Sequence, residues 1–147
     1  MTITEALLAE HVVFHNLFDF AERTVPELKA VGEVRLLARL MESLLAAHSR
    51  TEDELLVRPL EHCLEQIGQC EIFHQEHEEI DHNLKQAQMA KHLKQARLCL
   101  LAALASSRKH FDKEERIVFP LAEKHLKART LTGLWKIWKE QRNRATP

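Results

Sequence analysis

Apolar residues recur along this chain at intervals of three and four, the spacing of helices that bury one face. Thr2 and Glu5 have the spacing of a capping box, and a first helix is predicted from there through Phe20. Its apolar positions are Leu7, Leu8, Val12, Phe14, Leu17 and Phe18. The sequence Thr24-Val25-Pro26 is expected to end this helix, because proline lacks a backbone donor and clashes with the preceding turn.

A second helix is predicted after Gly32, reaching at least to Arg58 before Pro59 disturbs it. The pattern assigns five of its leucines to the core: Leu36, Leu37, Leu40, Leu44 and Leu45. Leu60 to Ile67 is predicted as a further turn or two of helix, with Gly68 as its C-terminal cap.

The second half of the chain predicts two more long helices. The third covers roughly Glu71 to Gln88, and the fourth runs from about Lys91 to beyond Phe119. The apolar stretch Leu98 to Leu104 is assigned to the core of the bundle. No glycine or proline marks the turn between these helices, which is placed around Ala90 from the spacing of polar residues described below.

A short amphipathic tail helix is predicted over Leu131 to Gln141, with Trp135 and Trp138 on one face. These tryptophans are expected to pack over the end of the bundle or to form a dimer patch. The chain is thus predicted to be one all-α domain over residues 1–147. It is an up-down-up-down four-helix bundle over about residues 3–127, with a short extra C-terminal helix over about 130–142.

Composition and charge exclude several classes of protein. Three glycines, four prolines and no tyrosine in 147 residues are too few turn and strand formers for a sheet-rich fold. The net charge of -1, with acids and bases interspersed, excludes a nucleic-acid partner. The absence of a long apolar run and of a signal-like N-terminus predicts a cytoplasmic protein that does not bind membranes. Cys63, Cys70 and Cys99 are expected to be reduced thiols.

Ten histidines are an excess for this length, and some of them belong to a polar repeat. Each half of the chain contains Glu-His, followed later by His-x-x-x-Glu and a second acid. The two units are Glu10-His11 with His48 to Asp53, and Glu76-His77 with His110 to Glu115. Because residues four apart share one face of a helix, each His-x-x-x-Glu pair can grip an ion from a single helix.

The spacing of the repeat also places its members at one depth. In an up-and-down bundle, ligands on consecutive helices reach the same height only if the turn lies midway between them. The midpoints fall in or beside the three predicted turns, near Lys29, Leu64 and Leu93. Six side chains are therefore predicted to converge as metal ligands: His11, His48, Glu52, His77, His110 and Glu114.

The ligand types indicate the metal chemistry. Imidazole and carboxylate together suit iron, manganese or zinc. Two glutamates can each bridge two ions while four histidines cap the ends, and a bridging oxygen would fill further positions. The remaining open positions could accept dioxygen, peroxide or nitric oxide. No residue is assigned a catalytic role.

These motifs resemble the hemerythrin-like (HHE) family, whose pattern is His, HxxxE, His and HxxxE on four successive helices. The resemblance covers about Leu7 to His125 and includes an apolar stretch and a proline after each HxxxE-acid run, at Pro59 and Pro120. It implies a non-haem di-iron site with an oxo or hydroxo bridge, for which zinc or manganese are substitutes. It also implies a protein that binds or responds to dioxygen, nitric oxide, peroxide or iron supply.

The chain departs from this pattern on its third helix. Hemerythrins that carry oxygen have two histidines four apart there, whereas His77 is followed at that spacing by Asp81. A fifth histidine could be His74 or His15, and Asp81 is a further candidate ligand. The first HxxxE unit also reaches its proline one residue later than the second.

Three functions remain as alternatives. The first is a module that binds or senses a small diatomic or peroxide ligand. The second is a redox enzyme that reduces peroxide or activates dioxygen, and the third is an interaction bundle with a structural metal. No proton donor near the ligands and no nucleotide or flavin motif stands out, which favours binding over turnover. A homodimer or a protein partner is left open.

Overall fold

The computed structural model describes residues 1–144, and over this range the chain is helical, without a β-strand. Its α-helices are α1 (Ile3–Thr24), α2 (Val31–Glu52), α3 (Arg58–Gln66), α4 (Cys70–Met89), α5 (Leu93–Lys113), α6 (Phe119–His125) and α7 (Ala128–Arg144). A 3-10 turn, Val25–Glu27, follows α1. The all-α fold and the extra C-terminal helix are confirmed. None of the described helices combines the length and apolar character needed to cross a lipid bilayer.

The long helices α1, α2, α4 and α5 form the bundle. α4 packs along α2 and α5, α1 and α2 both contact α5, and α7 lies against α1 and α6. The core consists of two apolar clusters. One contains Phe14, Phe18, Met41, Leu84 and Leu100, and the other contains Ile3, Leu7, Leu56, Leu60 and Leu64. The predicted ligands come from the helical turns between these two clusters.

Local capping explains where the helices begin and end. Thr2 accepts the backbone N–H of Glu5, while the Glu5 carboxylate accepts the N–H of Thr2, as a capping box requires. Gly68, at φ 69°, ends α3 in a left-handed conformation that favours glycine. The predicted turn near Ala90 is also present, since α4 ends at Met89 and α5 begins at Leu93.

Two π-helical segments interrupt the bundle helices at the predicted glutamate ligands, one directly after Glu52 and the other beginning at Glu114. Asp53–Val57 joins α2 to α3, and Glu114–Val118 joins α5 to α6. Each is closed by an N–H that donates to the carbonyl five residues back, as in Arg58 to Asp53. The first segment begins one residue later after its histidine than the second does, which accounts for the later proline in the first unit.

The prediction that Leu36, Leu40 and Leu44 face the core is wrong. Leu36 is 69% exposed and Leu40 is 51% exposed. The buried positions of α2 are instead Val34, Ala38, Met41, Leu45, His48, Thr51 and Glu52. These residues form one helical face, and Leu36, Leu40 and Leu44 lie about a third of a turn away from it, toward the side where α1 and α2 make few contacts.

The same correction applies to parts of α1 and α5. Leu8 and Val12 on α1 are exposed, as is Leu98 at the start of the stretch assigned to the core. Ala6 and Ala21 are buried on α1, and Ala96 and Ala103 on α5. Small residues thus fill the places where the helices approach each other closely.

Candidate metal centre

The structure brings the six predicted ligands together between the two apolar clusters. His11 comes from α1, His48 and Glu52 from α2, His77 from α4 and His110 from α5, while Glu114 opens the second π segment. The side chains of five of them are no more than 3% exposed, and that of His77 is 17% exposed. Six polar side chains are thus held in a layer almost without water.

The ligand atoms form two groups that share both glutamates. His11 and His48 with Glu52 and Glu114 make one group, and His77 and His110 with the same two glutamates make the other. Within each group the ligand atoms lie within 4.8 Å of one another. The Nε2 atoms of His11 and His48 are 3.2 Å apart, and those of His77 and His110 are 2.6 Å apart. The two carboxylates therefore lie between two histidine pairs.

The two glutamates carry buried oxygens that the described protein atoms do not satisfy. Both Oε atoms of Glu52 and Oε2 of Glu114 have no hydrogen-bond partner among the described residues. Burial and the neighbouring charge of Glu114 raise the pKa of Glu52 well above its usual value. Burial also opposes ionisation of Glu114, but the charge of His110, whose Nε2 lies 2.5 Å from Oε1 of Glu114, holds the pKa of Glu114 well below the usual value. Such oxygens fit a site for cations.

Outer carboxylates hold three of the four imidazoles. The Nδ1 atoms of His48, His110 and His11 donate to Glu10 (2.7 Å), Glu76 (2.9 Å) and Glu115 (2.9 Å), respectively. A carboxylate at Nδ1 fixes the ring tautomer, because it keeps the proton on that nitrogen. The lone pair of Nε2 is then free to bind a metal, and this nitrogen faces inward. Glu10 and Glu76 are the glutamates of the Glu-His repeat, so the sequence contained the signal for them, although it did not assign this role.

A cavity lies beside each end of the layer. One of about 380 Å³ lies beside His77 and His110, and its lining includes the ionisable side chains of Arg50, Asp53 and His74. Another of about 530 Å³ lies beside His48, between α1 and α2, and its lining is almost entirely apolar. Burial raises the pKa of the Asp53 carboxyl. At the other end the Phe111 ring stacks on His11, with centroids 3.9 Å apart and planes at 9°.

The three further candidate ligands lie outside both groups. His15 is half-buried and accepts from Arg108 at 2.9 Å, an arginine that also pairs with Asp19 and Glu22. His74 and Asp81 are exposed residues that line the cavity beside His77. The structure therefore gathers four histidines, and the fifth candidates stand apart from them.

Sequence reasoning did not assign two features of the surroundings. Asp53 belongs to the first polar unit and His74 was a candidate ligand, but neither was expected to be an ionisable group in a cavity beside His77. On the other side, Arg142 and Trp138 of α7 bond to Glu10. Burial alone would raise the pKa of Glu10, but hydrogen bonds from His48 and Arg142 lower it to about 2. The tryptophan spacing predicted the helix without indicating this contact.

Comparison with known proteins gives one match. The sequence model of the family described as "Hemerythrin HHE cation binding domain" matches residues 2–122. No curated protein and no solved structure matches the chain. The matched range contains all six predicted ligands and ends before α7.

Proposed function

The chain belongs to the hemerythrin family of HHE cation-binding domains, and from this premise we propose that it holds two non-haem iron ions in the layer between its apolar clusters. His11 and His48 would hold one ion, and His77 and His110 the other. Glu52 and Glu114 would bridge the two. The observation that carries this proposal is that both buried glutamates belong to both groups of ligand atoms.

The donor set fits this cofactor. Imidazole nitrogen and carboxylate oxygen are ligands that iron accepts readily, with zinc and manganese as chemical alternatives. The unsatisfied oxygens of Glu52 and Glu114 would otherwise be buried at a cost of several kcal/mol. Six protein side chains leave positions open on two octahedral ions, so bound iron would supply electron transfer and sites for a small ligand.

The first candidate function is the binding or sensing of a small ligand such as dioxygen, nitric oxide or peroxide. The cavity beside His77 gives such a ligand a route to that end of the layer. Phe111 stacks on His11, while Glu10, Glu76 and Glu115 hold protons at Nδ1 of three imidazoles. These residues keep the ligand geometry fixed.

The second candidate, reduction of peroxide, is favoured by the ionisable groups in this cavity. Arg50, Asp53 and His74 are among the residues that line it, and such groups suit a ligand whose reduction consumes protons. Both candidates use the same metal layer and differ in what enters it.

The test of the site is metal analysis of the purified full chain after anaerobic loading with ferrous iron. Two ions per chain are expected, with most of the iron lost in His48→Ala and His110→Ala. His62→Ala is the matched control, because His62 is exposed and outside both groups. A wild-type chain that binds no iron, or ligand variants that retain all of it, would contradict the proposal.

The test of function is exposure of the reduced, iron-loaded protein to oxygen, nitric oxide or peroxide, followed by optical absorption. A long-lived band that reverses when the gas is removed supports binding or sensing. Rapid oxidation by peroxide, repeated over several cycles of reduction, supports the enzyme. No optical response to any of the three ligands would contradict both candidates. The metal would then have a structural role only.

A further inference from the structure

The C-terminal helix α7 is connected to the metal layer through Glu10. Arg142 donates to both carboxylate oxygens of Glu10, from Nε to Oε1 at 2.6 Å and from an amino nitrogen to Oε2 at 3.0 Å. Trp138 donates from Nε1 to Oε1 at 3.2 Å. The same Oε2 accepts from Nδ1 of His48 at 2.7 Å. A continuous line of polar contacts thus runs from α7 through α1 to a predicted ligand on α2.

Arg142 also reaches α2 directly. Its other amino nitrogen donates to Oγ1 of Thr51 at 2.8 Å, and Thr51 lies on α2 between His48 and Glu52. The guanidinium lies over the Trp138 ring, 5.6 Å from its centroid. With its side chain 27% exposed, Arg142 is positioned by partners on three helices rather than by solvent.

The other end of the layer has the corresponding carboxylate but no such helix. His110 donates from Nδ1 to Glu76, and Glu76 is paired with Lys113. Lys113 lies on α5, the helix that carries His110 itself. The carboxylate behind His110 is therefore held within the bundle, whereas the one behind His48 is held by α7, outside the residues that match the family.

We propose that Arg142 and Trp138 are positioning residues for the metal ion at the His11 and His48 end. By holding Glu10, α7 fixes the ring orientation and tautomer of His48, so affinity at this end depends on docking of α7. The inference rests on the proposed function, because it requires an ion at each end. Linkage is reciprocal, so an ion bound at this end would in turn stabilise the docked position of α7.

The experiment titrates the full metal-free chain with Co²⁺, whose visible absorption reports the geometry of each ion. Wild type is expected to bind two ions. Arg142→Gln is expected to bind the ion at the His77 end normally and the other about 10- to 100-fold more weakly. Trp138→Phe keeps an aromatic ring and removes the hydrogen-bond donor. It is expected to weaken binding of the same ion by a smaller factor.

Two controls separate positioning from general damage. Arg144→Ala changes an exposed cation on the same helix, whose described partner is Glu140, and is expected to leave both ions unchanged. Lys113→Ala is expected to weaken binding of the ion at the His77 and His110 end, since Lys113 pairs with Glu76. Circular dichroism establishes that each variant is folded, and Arg142→Lys replaces the glutamine variant if that one is not.

The outcomes are distinct. A loss of affinity confined to the ion at the His11 and His48 end, with one component of the cobalt spectrum altered, supports the inference. Wild-type affinity for both ions in folded Arg142→Gln overturns it, as does equal weakening of both. A wild-type chain that binds fewer than two ions contradicts the proposed function itself, and the inference fails with it.

Discussion

The Nε2 atoms of His77 and His110 lie 2.6 Å apart, so in the metal-free chain one ring donates a proton to the other. Burial, followed by the charge of His110, lowers the pKa of His77 to about 4. Burial also opposes a charge on His110, but Glu114 and Glu76 raise its pKa. A proton on Nε2 of His110 also faces Oε1 of Glu114 at 2.5 Å, and it occupies the direction in which a cation would bind.

Metal binding is accordingly expected to release protons in the pH range where these ligands titrate. Burial raises the pKa of Glu52, and Glu114 and Glu76 raise the pKa of His110 against the effect of burial, so protons compete with a metal for both ligands at higher pH than is usual for these groups. Affinity should rise with pH and fall as these groups are protonated. Calorimetric titration in two buffers of different ionisation enthalpy measures the release directly. Identical enthalpies in both buffers, with equal affinities at pH 6 and pH 8, would contradict this prediction.

Replacement of Glu52 by methionine is expected to stabilise the metal-free chain while abolishing its stabilisation by metal. Methionine has a similar length and removes two buried oxygens without partners, a gain of about 1 to 3 kcal/mol in the free energy of unfolding. Chemical denaturation with and without metal measures both effects. The control Glu54→Met changes an exposed residue of the adjacent π segment. A less stable metal-free Glu52→Met chain would refute the prediction.

Two leucines of α2 test the corrected core. Leu45 is buried, and Leu45→Ala is expected to lower the free energy of unfolding by about 2 to 5 kcal/mol. Leu40 is 51% exposed, and Leu40→Ala is expected to change it by less than about 0.5 kcal/mol. Urea denaturation at a single low protein concentration compares the two. Equal losses of unfolding free energy in the two variants would show that Leu40 contributes to the core as Leu45 does, and would contradict the prediction.

The cavity beside His77 gives a prediction that concerns His74. If this side chain passes protons to a ligand in the cavity, His74→Gln should slow oxidation of the reduced protein by peroxide about tenfold or more. Iron content should be unchanged, since His74 lies outside both ligand groups. His82→Gln, on the exposed side of the same helix, is the matched control. Loss of iron in His74→Gln would make His74 a ligand instead.

The layer of ligands could be predicted because its signals lie along the chain. His48 and Glu52 share a helical face by their spacing alone, and the turn midpoints set the heights of His11 and His77. Sequence could also indicate the carboxylates behind the rings, since Glu10 and Glu76 repeat in the same place. Each of these inferences needs only the period of a helix and the position of a turn.

The orientation of the leucines and the role of α7 could not be predicted in the same way. Leu36, Leu40 and Leu44 have the spacing of a buried stripe, but α1 and α2 make few contacts with each other and the stripe is exposed. Arg142 and Glu10 lie far apart in sequence, and no local pattern joins them. Both outcomes depend on how helices are placed relative to each other, which periodicity does not specify.

Each π segment is a wide turn that holds one residue more than a turn of α-helix. Deleting one residue from Asp53–Val57 would let that turn close as ordinary α-helix without rotating the helix that follows, so Leu60 and Leu64 would stay in their apolar cluster. Deleting one residue from the regular part of α2 would instead rotate everything after it by about 100°. When related sequences are aligned, single-residue gaps should therefore be tolerated between α1 and α2 and within the π segments, but not between His48 and Glu52.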